Sequence, residues 1–94
     1  FGDEEKKWKY WNIVLDSGYP LAYKQIINKF EIEKDWEQME KYCHMASSKG
    51  IPYGAFKLAN YYCDLGKYEI CNRYLIQAAE LGNLHCYYRL AMYY

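Results

Sequence analysis

Net charge is the first thing this 94-residue chain lacks: 12 Lys and Arg stand against 12 Asp and Glu, and no basic block disturbs the balance locally. Nucleic acid and anionic membranes are drawn by clustered positive charge, so neither is expected as a partner. Long apolar runs are missing as well. None approaches the roughly 20 residues of a membrane helix, and the opening Phe1-Gly2-Asp3-Glu4-Glu5 has neither the charge nor the apolar stretch of a signal peptide. The chain does not open on Met, and the expectation is a piece of a longer protein. Cys43, Cys63, Cys71 and Cys86 form no Cys-x-x-Cys pair. With apolar residues enough to fold unaided, they are expected to be reduced thiols in the cytoplasm, and zinc is not expected on them.

Histidine is scarce. His44 follows Cys43 and His85 precedes Cys86. Adjacent helical residues point about 100 degrees apart, so neither pair closes on one ion and no metal or cofactor is expected. No nucleophile stands at a useful spacing from a base, so the chain is not expected to be an enzyme. Acids gather at Glu31, Glu33, Asp35, Glu37 and Glu40. Asp35 reads as the start of a helix, where an acid meets the positive end of the helix dipole, and the others as a solvated face.

Proline is nearly absent too, and its placement turns absence into pattern: Pro20 and Pro52 lie 32 residues apart. Gly50, Leu58, Ala59 and the pair Tyr61-Tyr62 recur at the same spacing as Gly82, Leu90, Ala91 and Tyr93-Tyr94. Trp36, Met39, Tyr42 and Ala46 fall on Tyr68, Cys71, Tyr74 and Ala78, while Ile26, Ile27 and Phe30 fall on Leu58, Ala59 and Tyr62. A fixed period of this length is the mark of a repeat architecture. Within each unit, apolar residues follow helical spacing, as at Ala55, Leu58, Ala59 and Tyr62, and glycines such as Gly66 and Gly82 interrupt them. The reading is all-α, about six helices. A half-unit at 1–17, repeats at 18–49 and 50–81, and a half-unit at 82–94 together form a right-handed α/α superhelix, or solenoid. Small residues at Ala46, Ala59, Ala78 and Ala91 are expected where paired helices cross. Aromatics, 20% of the chain with 13 Tyr, suit helices buried on one side only.

The pattern Ala55, Leu58-Ala59, Tyr62, Cys71, Tyr74-Leu75, Ala78 resembles the tetratricopeptide signature. The junction Ala78-Ala79-Glu80-Leu81-Gly82-Asn83 is similar to the Sel1-like branch of such repeats. The resemblance implies a protein-binding scaffold that holds a peptide or folded partner on its concave face. Transferring the register places Lys24, Asn28, Tyr53, Phe56, Lys57, Asn60, His85, Tyr88 and Arg89 on that face, together with Leu21, Gln25 and Met92. Lys24, Asn28, Arg89 and His85 resemble, incompletely, a clamp for a C-terminal carboxylate. Some Sel1-like relatives carry stapling cysteine pairs, which implies a Cys63–Cys71 bridge as the alternative to free thiols. Apolar residues at Leu90, Met92 and Tyr94 imply docking or self-association through that end, as in a structural component of a larger assembly. The Tyr-, Lys- and Ile-rich composition resembles that of viral arrays, for which a virion-associated location would replace the cytoplasm.

Overall fold

The structure is a computed structural model that describes the backbone of residues 2–93 and the side chains of residues 2–92. Helix accounts for 84% of it, with no strand among the described residues. Six helices follow one another: α1 (Gly2–Asp16), α2 (Pro20–Ile32), α3 (Trp36–Ser48), α4 (Pro52–Asp64), α5 (Tyr68–Glu80) and α6 (Leu84–Tyr93). The bounds of α4 and α5 stand 32 residues after those of α2 and α3, and α6 begins 32 after α4.

Local chemistry sets these bounds. Pro20 and Pro52 occupy the first turns of α2 and α4, where a missing N–H costs nothing, behind extended residues Tyr19 and Ile51. Gly50 and Gly82 take positive φ, 79° and 111°, just past the ends of α3 and α5. There the next residue's N–H turns back, Ile51 to the Ala46 carbonyl and Asn83 to the Ala78 carbonyl, both at 3.0 Å. The α4–α5 turn uses Gly66 at φ 78°, whereas the matching α2–α3 turn uses Lys34 at φ 59°. Asp35 then caps α3, its carboxylate accepting from the Gln38 N–H at 3.3 Å.

Each helix rests on its neighbours in the chain, and α2 also touches α4. Helices layered this way extend the molecule along one direction. Its extents are 52 × 24 × 15 Å, and its radius of gyration is 14.2 Å, against roughly 12.4 Å for a compact domain of this length. Two apolar clusters share α4 as their partition. Leu58 faces the first, with Tyr23, Ile27, Met39 and Cys43; Ala55 and Ala59 face the second, with Cys71, Leu75, Ala78 and Cys86. Aromatic rings fill the outer part of each layer. Phe30 stacks on Tyr42 at 5.6 Å and Tyr62 on Tyr74 at 5.7 Å.

Small residues do mark the helix crossings, with one exception. Ala46, Ala59 and Ala78 are fully buried, but Ala91 is exposed, no helix among the described residues packing over it. Gly54, unremarked in the sequence pattern, makes the closest approach. A Cβ there would collide with the Cys43 carbonyl oxygen of α3 and lie 3.0 Å from the Ala46 Cβ. Tyr23 is the largest fully buried side chain, and its hydroxyl donates to the Leu15 carbonyl at 2.8 Å, closing the end of α1. Lys49 reaches the neighbouring Asp16 carbonyl at 2.7 Å, where a cation suits the negative end of the helix.

Candidate interaction surface

The alternate helices α2, α4 and α6 carry all nine candidate partner-binding residues, and the structure brings most of them into contact with one another. The Lys24 ammonium of α2 lies over the Tyr53 ring of α4, 5.4 Å from its centroid. One period on, Phe56 of α4 meets His85 of α6 edge to face at 5.8 Å. Lys24 and Phe56 occupy equivalent positions, as do Tyr53 and His85, so a cation on a ring in one unit becomes a ring on a ring in the next. Both contacts are of the kind aromatic faces favour.

Hydrogen bonds occupy the amides. Tyr53 donates its hydroxyl proton to Asn28 Oδ1 at 2.6 Å, and Arg89 Nη1 donates to Asn60 Oδ1 at 2.6 Å. The carboxylate-clamp resemblance needs Asn28 and Arg89 to face a ligand; here each is engaged with the adjacent helix. Lys57 is likewise committed, its ammonium donating to both Glu31 oxygens at 2.9 and 3.1 Å. Burial alone would lower the Lys57 pKa, but the bond to Glu31 and the neighbouring Tyr53 together raise it above the ordinary value.

That pairing corrects the reading of the acidic cluster. Glu31 and Glu40 are half-buried and partnered, Glu40 accepting from the Tyr62 hydroxyl at 3.0 Å. Helical spacing gives an acid's angle on its own helix, but which neighbour comes over it is settled only when the next unit docks. Glu33, Asp35 and Glu37 are exposed.

Lys24, His85 and Tyr88 remain at the surface, with Phe56 half-buried between them. His85 also stacks on Tyr88 at 6.2 Å, extending the aromatic strip along α6. None of these four makes a side-chain hydrogen bond within the described residues. Leu90 is half-buried and Met92 exposed; Tyr94, named with them as a docking surface, lies outside the described residues.

All four cysteines are free thiols. Burial pushes Cys43 up to about 12, and burial with the adjacent Cys63 thiol pushes Cys71 up to about 11; burial raises Cys86 as well. A thiol that keeps its proton at neutral pH is a poor nucleophile and a poor metal ligand. Among the described residues no three His, Cys, Asp or Glu side chains converge, and no helix is long and apolar enough to cross a membrane.

A 430 Å³ trough lies between α1 and α2, lined chiefly by Lys7, Trp11, Val14, Tyr19, Leu21 and Gln25. Its walls are almost wholly apolar.

Comparison with known proteins finds no counterpart: no family model, no curated protein and no solved structure matches the chain.

Proposed function

We propose that this chain is a segment of an α/α superhelical repeat array of the Sel1-like and tetratricopeptide type, and that it acts as a scaffold. On this reading a peptide or folded protein is held along the shared face of α2, α4 and α6. One observation carries it. Lys24 meets Tyr53, Phe56 meets His85 and Asn60 meets Arg89, each pair 29 residues apart, so the alternate helices join in one continuous register. A surface built that way lengthens with every unit, which suits an extended ligand better than a small molecule.

The chemistry available to that ligand is an exposed cation, Lys24, followed by the Phe56, His85 and Tyr88 rings. An extended peptide with an acidic group at one end and apolar side chains spaced along it matches these in order. Asn28, Lys57, Asn60 and Arg89 act one layer back, holding the helices that present the strip.

Selection of binding peptides from a random library, followed by titration, tests the reading. Lys24→Ala and Tyr88→Ala each weaken a selected peptide about tenfold or more, equivalent to about 1.4 kcal/mol, with helix content unchanged. Equal binding by both variants removes this face from consideration.

A further inference from the structure

We propose that the edge formed by the α2–α3 and α4–α5 turns binds an arginine-rich segment of another protein, each guanidinium lying on an aromatic ring with a carboxylate beside it. Lys24 and Phe56 stand near the starts of α2 and α4; this edge lies at the far ends of the same helices. It is a second surface, for a ligand of opposite sign.

The edge repeats a small module. Helices α3 and α5 both open on an aromatic residue followed by glutamate, Trp36-Glu37 and, 32 residues on, Tyr68-Glu69. Trp36 leans on the half-buried Tyr61 of α4, with ring centroids 5.1 Å apart. The next unit is therefore already in place beside Trp36, and the residue still leaves 39% of its surface in water. Tyr68 is 59% exposed, and Leu65, one helical turn beyond Tyr61, is 52% exposed. Successive units join along the flanks of their helices, as α2 joins α4, whereas the turns run along the side of the stack. Further units lengthen this edge and do not cover it. Large apolar groups gathered on such a surface mark a contact with another molecule.

Charge decides what that molecule is. Over residues 33–37 and 64–69, five carboxylates stand against Lys34 and Lys67, a net charge of −3 in a chain whose total is zero. Only Asp35 has a partner among the described residues, as the cap of α3; the other four form no ion pair and accept no side-chain hydrogen bond there. Acidic peptides and nucleic acid are repelled by such an edge. A cation is drawn to it, and the rings choose between the two cationic side chains. The planar guanidinium stacks on an aromatic face, Trp above all, while its five N–H donors reach a carboxylate alongside; an ammonium is compact and holds its water more strongly. Leu65 adds an apolar contact for the aliphatic part of the same segment.

Fluorescence anisotropy of a labelled peptide of alternating Arg and Leu tests this, beside two peptides with Lys or Glu in place of Arg. The expected order is Arg tightest, Lys weaker by about fivefold or more, and Glu without measurable binding. Trp36→Ala weakens the Arg peptide by about fivefold, and so does the double substitution Glu37→Gln with Glu69→Gln. Circular dichroism checks the helices. The two glutamates are exposed, so the Gln pair reports on binding even if Trp36→Ala loosens the fold. Arg and Lys peptides that bind alike overturn the proposal, because charge alone then accounts for the binding. An Arg peptide that does not bind, or that binds the Gln pair undiminished, overturns it too. Lys24→Ala leaves the Arg peptide bound as before; a loss there places the peptide on the α2, α4 and α6 strip and also overturns the proposal. A peptide selected on that strip binds Trp36→Ala undiminished, so either surface can fail without the other.

Discussion

Tyr62 lies flat against Tyr74, ring centroids 5.7 Å apart and planes 12° from parallel, and 32 residues earlier Phe30 lies against Tyr42 at 5.6 Å and 8°. The two stacks are one contact used twice, each joining the end of a first helix to the middle of the second. Tyr62 adds a polar handle that Phe30 lacks, its hydroxyl bonded to Glu40. Truncating Tyr74 to Ala removes the ring and opens space beside Tyr62, and the expected loss is about 2 kcal/mol. Tyr62→Phe keeps the stack and gives up only the hydrogen bond, for about 1 kcal/mol. Urea unfolding of both variants separates the contributions, and a Tyr62→Phe loss as large as that of Tyr74→Ala would show that the hydroxyl dominates.

Gly54→Ala reverses an ordinary rule. In an open helix the change favours helix by up to about 1 kcal/mol, but here the new methyl runs into the Cys43 carbonyl. Backbone cannot step aside as a flexible side chain can, so α3 and α4 must separate. The expected outcome is destabilisation of about 2–3 kcal/mol, seen as a lower thermal midpoint. A neutral or stabilising result contradicts the close approach.

The α2–α3 and α4–α5 turns each hold one favourable residue of two. Lys34-Asp35 has the cap but a side chain in the left-handed region; Gly66-Lys67 has the free glycine but no side-chain cap. Lys67 sits at φ −91° and ψ 74°, close to Asp35 at −88° and 79°. Lys67→Asp should therefore supply the cap and replace a cation at the positive end of α5, stabilising by about 1 kcal/mol. For a domain of this size that raises the melting temperature by about 4–8 °C.

Alkali should unfold the protein through its buried thiols and phenols. Cys43 rises from 9.0 to about 12, Cys71 from 9.0 to about 11 and Tyr62 from 10.0 to about 12, each mainly through burial. Lys57, Tyr23 and Tyr74 are also raised. In every case the folded chain holds its proton more tightly than the unfolded one. The associated stability is complete below pH 9 and is lost as pH climbs from about 9 to about 12. Urea midpoints between pH 8 and 12 give the slope, and Cys43→Ala flattens it whatever it does to stability at pH 8.

Much of the helical layout is legible in the order of residues. Pro20, Pro52, Gly50, Gly66 and Gly82 act through their own backbone preferences, so their positions alone mark helix starts and stops. The period that set Phe30 against Tyr62, and Tyr42 against Tyr74, also aligned the helices that carry them. Lys24, His85 and Tyr88 were assigned to one surface only through the register that the tetratricopeptide resemblance implies, since helical spacing gives a side chain its angle on its own helix and nothing more.

What remained hidden depends on distance between helices. A repeat shows that Lys24 and Phe56 are equivalent, but not that one lies over Tyr53 and the other against His85. Glu31 and Glu40 looked solvated because nothing in their spacing reveals which helix comes to rest above them, and Ala91 looked buried because the pattern assumes a neighbour on every side. Gly54 carries an ordinary helical backbone, and only the carbonyl of Cys43 makes its missing side chain necessary. Local torsional preference and helical period are written in the order of residues, so the sequence by itself determined the elements and their phase. Partnering and close approach arise when separate helices meet, and the tertiary structure alone decided those.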